Sequence, residues 1–315
     1  MSRFTPMLPH HTLAAHYATP EAKPQLVTRL FEEGAKHYVL GRAERIPLTD
    51  NFFNFFTKGW ALRQVISLVI VNLAGKMAAI LVGWTAPAAA LALWFVPDLL
   101  LAYHVFAPRA QGLVRVHWRF STARREVWLT IDDGPDPEDT PRILELLAAH
   151  GARATFFVIG ENAGIHSGLI RAIAAAGHEV AHHTHTHPLA AFWCASPATV
   201  NRELDAGMEA LRAAGVRPTR FRPPAGIKNI WLARALRARG LTCVGWSVRG
   251  LERWRGDADA VVARAIRGLA PGAILLLHEG PRVPAAIRVE AIRGVLERLR
   301  DRGYQCVVPG PEQLV

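Results

Sequence analysis

Cysteine is scarce in this chain, and its scarcity removes two function classes at once. The three cysteines among 315 residues, Cys194, Cys243 and Cys306, are odd in number and far apart. They form neither a CxxC metal motif nor the even set that a disulfide framework needs. Lysine is also sparse: the 37 basic side chains are nearly all arginine, against 26 acidic ones, for a formal charge of +11. Such a balance can serve nucleic acid, anionic lipid or phosphorylated ligands. No basic block interleaved with aromatics occurs, and no nucleic-acid module, so no nucleic-acid partner is expected. Residues 1–58 lack the apolar core of a signal peptide. Within them, TPEAKPQLVTRLFEEGAKHYV reads as a short helix without chemistry of its own.

Charge is missing from one long stretch. Residues 64–97, QVISLVIVNLAGKMAAILVGWTAPAAALALWFVP, carry Lys76 alone. A spanning helix needs about 20 apolar residues, so this run and its continuation to about 106 can hold one or two. A GWTAP turn at 83–87 gives a hairpin with spans near 64–83 and 88–106, whereas one span at 77–97 carries Pro87 inside it. Lys76 and Asp98 then lie within the hairpin's spans, which is costly unless they pair. The soluble alternative is a buried pair of core helices; membrane attachment is the reading taken. NFFNFF at 51–56 suits an interfacial anchor or core packing equally.

From residue 126 the pattern changes to short β-branched or aromatic runs separated by amphipathic stretches. Seven strands are expected: 126–131, 154–159, 178–181, 219–221, 241–247, 273–278 and 304–308. Repeated strand–helix alternation implies an α/β fold with a parallel sheet and helices outside, here a distorted seven-stranded barrel. Thr140 is expected to cap the first helix, with Pro141 at its first position. Reactive side chains fall at strand ends: Asp132 and Asp133 after the first strand, HHTHTH (182–187) after the third, Arg222 after the fourth and His278 at the sixth. In parallel barrels that face is where catalytic groups converge. His183 and His187, with three residues between them, can bind one metal ion; His182 and His185 compete for the role. Two imidazoles and a carboxylate leave zinc an open position.

At these residues the chain resembles the polysaccharide deacetylases, carbohydrate esterases with a chitooligosaccharide-deacetylase homology domain. Their T-F-D-D-G-P is similar to TIDDGP (130–135), their H-[ST]-x-x-H to HTHTH (183–187), their R-x-P-x-G to RPPAG (222–226) and their L-x-H to LLH (276–278). The resemblance covers roughly 126–310. It implies that Asp133, His183 and His187 hold a divalent metal, zinc first, and that Asp132 is the general base, oriented by Arg222. It implies His278 as general acid and the Ala225 N–H as an oxyanion donor, although the family usually has an aromatic where Ala225 stands. It also implies an Asp and a Trp after the fifth strand; GWSVRGLERW has Ser247 and Arg249 there, with Glu252 the nearest carboxylate.

The expected organisation is a polar or interfacial region at 1–58, a membrane segment at 59–107, a basic linker at 108–125 and a catalytic barrel at 126–315. The function read from this is a membrane-anchored, metal-dependent hydrolase that removes an N-acyl group from an amino sugar of a glycan or lipid-linked glycan. Arginines flank the apolar region on both sides, which favours a hairpin in the inner membrane with the barrel on the cytoplasmic face. The alternatives are a cell-wall polysaccharide deacetylase facing the periplasm and a non-catalytic glycan-binding membrane protein.

Overall fold

The computed structural model describes residues 48–252 and 257–315, with side chains from Arg63 onward. The short helix expected at 19–39 and the side chains of NFFNFF lie outside the described residues.

Two helices lead, α1 (Leu48–Val82) and α2 (Pro87–Phe106), joined by the turn expected from GWTAP. Within them, Arg63–Val82 and Pro87–Phe106 are long and apolar enough to cross a membrane, and few of their residues are buried. Lys76 and Asp98 face each other: Lys76 Nζ lies 2.7 Å from Asp98 Oδ2, and Asn72 donates to Asp98 Oδ1 at 2.6 Å. Pairing is what makes such groups tolerable in an apolar surround. Gly75 lets the helices meet, since a Cβ there would fall 2.7 Å from the Leu93 carbonyl.

The rest of the described chain is built on a curled parallel sheet with helices on its outer side. Its strands are β1 (Glu126–Asp132), β2 (Ala154–Val158), β3 (Glu179–His182), β4 (Arg220–Phe221), β5 (Thr242–Cys243), β6 (Val248–Arg249), β7 (Ala273–His278) and β8 (Gln305–Cys306). Their order is β5-β4-β3-β2-β1-β7-β6, with β8 against the start of β1, so the barrel is open between β5 and β6. The strand expected at 241–247 is shorter, β5 with a bridge at Val244, and β6 starts beyond it at Val248, on the other edge of the sheet. The 108–125 segment is more than a linker. Leu113, Val114, Val116 and Phe120 are buried, and His117 bridges to Val244 beside β5.

Strand alternation decides what faces the interior. On β1, Val127, Leu129 and Ile131 pack outward under the helices, while Trp128, Thr130 and Asp132 point inward. On β7, Leu275 and Leu277 pack outward and Ile274, Leu276 and His278 inward. Because Asp132 pairs in register with His278, two reactive side chains stand side by side at the strand ends. Thr140 does not cap its helix, α3 (Asp139–Ala149). Asp136 does, accepting from the Glu138 and Asp139 N–H groups at 2.9 Å, while the Thr140 hydroxyl donates to buried Glu279 at 2.5 Å.

Candidate active site

The turn after β1 needs its glycine. A Cβ at Gly134 would fall 1.8 Å from Glu279 Oε1, so only glycine leaves room for this buried carboxyl. Burial, with Asp136 and Asp139 adding to it, pushes Glu279 up to about 8. Among the described residues, five that are not glycine, Asp133, Thr184, His187, Ala225 and Leu251, have left-handed backbone, and all but Thr184 line one pocket. Each such residue costs about 1–3 kcal/mol, and strain of this kind gathers at functional sites.

Asp133, His183 and His187 are buried and offer ligand atoms all within 4.8 Å of one another. Asp133 Oδ1 lies 3.5 Å from His183 Nε2 and 3.3 Å from His187 Nε2. Ligands about 2.0–2.2 Å from a tetrahedral ion stand about 3.4 Å apart, so the spacing fits a cation such as zinc. His183 Nδ1 meets the Arg222 carbonyl at 2.7 Å; with the proton there it donates, and Nε2 is left with its lone pair toward Asp133. Burial drives the Asp133 carboxyl up, but the three histidines around it outweigh burial and hold it well below the usual carboxylate range. Arg282 adds a guanidinium 3.5 Å from Asp133 Oδ1.

His182 and His185 are not part of this group. His182 points outward from β3 to the Leu204 carbonyl, at 3.0 Å, and accepts from the Thr184 N–H at 2.9 Å. Burial pushes its imidazole down to about 4, so it is neutral. The loop holding His185 is tied by Glu203 of α4 (Pro197–Ala213). The Glu203 carboxylate accepts from His185 N at 3.0 Å, Thr186 N at 2.9 Å and Thr186 Oγ1 at 2.9 Å. Glu203→Ala removes the buried carboxylate shared by the half-buried His185 N–H and two donors of exposed Thr186, and a hydrogen bond to a charged group is worth about 1.5–3 kcal/mol. The expected result is a lower Tm of the detergent-solubilised chain together with weaker metal binding by His183 and His187; an unchanged Tm would remove Glu203 from this role.

Asp132 is held from the other side. Arg222, fully buried, donates to Asp132 Oδ1 at 2.6 Å and Thr130 Oγ1 at 2.8 Å, and to the Val244 and Gly245 carbonyls at 3.2 and 2.8 Å. Its guanidinium also stacks on Phe157, 4.1 Å from the ring centre. Asp132 Oδ2 is thus left facing the site, 3.7 Å from His183 Nε2. Across the pocket, His278 Nδ1 meets Glu252 Oε1 at 3.2 Å, and the same oxygen accepts the His278 N–H at 2.9 Å. Burial lowers the His278 pKa, but the Glu252 carboxylate, with Asp132 and Asp133, outweighs it and raises the imidazole to about 9.

Every site residue expected from the sequence lines this pocket except Arg222, which lies beneath it. Glu252, merely the nearest carboxylate in sequence, proves to be the partner of His278. Trp246, Leu189, Arg249 and Val283 were missed as lining residues. Trp246 is the tryptophan of GWSVRG, and alternation from inward Val244 was the signal that could have placed it. With Ala225 small, Trp246 supplies the aromatic wall; a Cβ at Gly226 would strike its ring at 2.7 Å.

The polysaccharide deacetylase family model matches residues 120–244. A chitooligosaccharide deacetylase of Sinorhizobium fredii is 38% identical over 197 residues, covering 59% of this chain and 91% of that protein. A peptidoglycan-N-acetylglucosamine deacetylase of Bacillus cereus is 33% identical over 191 residues, covering 58% of this chain and 66% of that protein. The structure of a family 4 carbohydrate esterase from Streptomyces lividans, in complex with acetate, aligns at a TM-score of 0.54 and 33% identity, covering 60% of this chain and 96% of that one.

Proposed function

The chain belongs to the polysaccharide deacetylase family, hydrolases of N-acetyl amide bonds, and from that premise we propose a membrane-anchored, metal-dependent enzyme that removes the N-acetyl group from an amino sugar of a glycan or lipid-linked glycan. The observation that carries the reading is the convergence of Asp132, Asp133, His183, His187 and His278 on one pocket at the strand ends. A glycan-binding protein without catalysis has no need of a buried base, its clamp and a charged acid together.

Asp133, His183 and His187 would hold the ion, which when bound supplies a Lewis acid for the amide carbonyl and for water. Asp132 takes a proton from water as the oxygen attacks the carbonyl carbon. Arg222 fixes one carboxylate oxygen, so the other is aimed without loss of freedom during the reaction. The Ala225 N–H donates to the oxygen that gains charge. As the C–N bond breaks, His278 gives its proton to the departing nitrogen, leaving an amine on the sugar and free acetate.

The acid must be protonated to act. Its pKa, raised from 6.5 to about 9, keeps it charged at neutral pH, and activity falls as pH rises through about 9. Glu252→Gln removes the carboxylate that holds this proton, so the alkaline limb of the kcat profile moves to lower pH while bound metal is unchanged. An unmoved limb would exclude the pair from the proton transfer.

Membrane anchoring is supported by two exposed apolar helices and by the closed Lys76–Asp98 pair. Lys58 and Arg63 precede the hairpin, and Arg109, Arg115, Arg119, Arg124 and Arg125 follow it. Under the positive-inside tendency a hairpin keeps both flanks in the cytoplasm, which puts the barrel on the inner face. A C-terminal reporter active only outside the cytoplasm should be silent; activity would move the barrel to the cell-wall side. The substrate is tested by mass spectrometry of a membrane-lipid and glycan extract incubated with the metal-loaded full chain. Loss of an acetyl group from an amino-sugar species supports the reading, and an unaltered extract contradicts it.

A further inference from the structure

The end of α2 is braced against loops that line the pocket. Pro108 packs against Gly226, where an added Cβ would fall 2.8 Å from the proline ring. Fully buried Lys228 donates from Nζ to the Ala107 carbonyl at 2.6 Å and from its N–H to the Val105 carbonyl at 2.9 Å. Arg109 donates from Nε to the Trp246 carbonyl at 3.1 Å and from its other arm to the Ser247 carbonyl. The last residues of the second apolar helix are therefore clamped to the two loops that present Ala225 and Trp246 to the pocket.

An apolar path joins the same two places. Leu189 lines the pocket two residues after His187 and is 36% exposed. Four residues on, Trp193 is 47% exposed and its ring lies 6.0 Å from that of Phe106, tilted by 51°; Phe106 is the last residue of α2 and is 49% exposed. Asn229 holds this turn by donating to the Phe192, Trp193 and Ala195 carbonyls at 2.9, 3.2 and 2.9 Å. Isolated exposed apolar side chains need no explanation. Here Leu189 belongs to the pocket lining and Phe106 ends the apolar helix, while Trp193 shares the loop of the first and touches the ring of the second. A span of 20 residues is about 30 Å long, the thickness of a bilayer's hydrocarbon core, so Phe106 sits at its edge. Tryptophan favours that depth, with its ring in the apolar layer and its N–H in the headgroups.

We propose that the pocket takes its amino sugar from an amphiphile resident in the membrane, whose hydrocarbon chain lies along Leu189, Trp193 and Phe106 while the sugar enters beside Ala225 and Trp246. This rests on the functional reading above and names its substrate class. The continuity of the path with the apolar helix selects a lipid chain over a second protein as occupant.

The test uses the full chain in nanodiscs with zinc and two probes, the methyl and dodecyl glycosides of N-acetylglucosamine. Each buried CH2 is worth about 0.8 kcal/mol, so partial burial of the longer chain raises kcat/KM for dodecyl over methyl by at least about tenfold. General partitioning into the disc gives the same preference to every variant, whereas a fitted path does not. Trp193→Ser should therefore collapse the ratio toward that of partitioning alone, Trp193→Phe should restore it, and Trp84→Ser, in the hairpin's turn, should leave it as it is. A wild-type ratio near one, or a raised ratio indifferent to Trp193→Ser, overturns the inference. Deacetylation of N-acetylchitotriose with neither glycoside turned over overturns it while sparing the functional reading. No product from any of the three overturns both.

Discussion

Asp132→Asn leaves the fold and bound metal as they are and lowers kcat by about 10²–10⁴-fold, the usual contribution of a general base. The amide nearly matches the carboxylate in shape, so Oδ1 still accepts from Arg222, whose donation at 2.6 Å is the main constraint on the side chain. What is lost is the capacity to take a proton at the second position, which faces His183 Nε2 at 3.7 Å. Metal content by emission spectrometry and Tm separate this outcome from collapse of the site. Normal turnover in Asp132→Asn would reduce Asp132 to an orienting residue and require another base.

Alanine at Asp133, His183 or His187 has the largest effect expected on metal binding. The three donors stand at the separations of ligands on one tetrahedral ion, 3.3 and 3.5 Å from the Asp133 oxygen to the two imidazole nitrogens. Loss of an outer partner costs about 10–100-fold in metal affinity, and loss of a ligand should exceed that. His185→Ala is the control, since that side chain lies outside the group of ligating atoms. Isothermal titration with zinc checks both. Loss of metal in His185→Ala with retention in His187→Ala would overturn the assignment of ligands.

The parallel α/β architecture, the strand positions and the hairpin turn were legible because alternation and apolar runs report burial directly. The strand ends were legible too, since a run such as EVWLTI stops where its acidic turn begins. Choosing among His182, His183 and His185 by spacing alone was not possible. Strand parity resolves part of it: Ala181 faces the interior, so His182 points out to the Leu204 carbonyl and His183 points in. That parity becomes certain only when the pairing of β3 with β2 is known. Glu252 as the partner of His278 was beyond sequence, because the chain breaks its strand at Gly245–Ser247 and returns through the left-handed backbone of Leu251. Local propensity does not report such a detour. The segment expected as a linker at 108–125 shows the same limit. Its arginines mark a solvent-facing segment, but Leu113, Val114, Val116 and Phe120 are buried, Val114 and Val116 beside Phe221 and Cys243 and Phe120 inside the sheet, and nothing local announces those partners.

The central claim is that one ion held by Asp133, His183 and His187, with Asp132 as base, makes this pocket an N-deacetylase. Titration of metal-stripped full chain with zinc, following acetate released from N-acetylchitotriose, tests it most directly. The account predicts release that rises in proportion to added zinc, levels at one ion per chain, and is nearly abolished in Asp132→Asn at equal metal content. Full release by the stripped chain, or none by a chain loaded with one ion at these three residues, would contradict it.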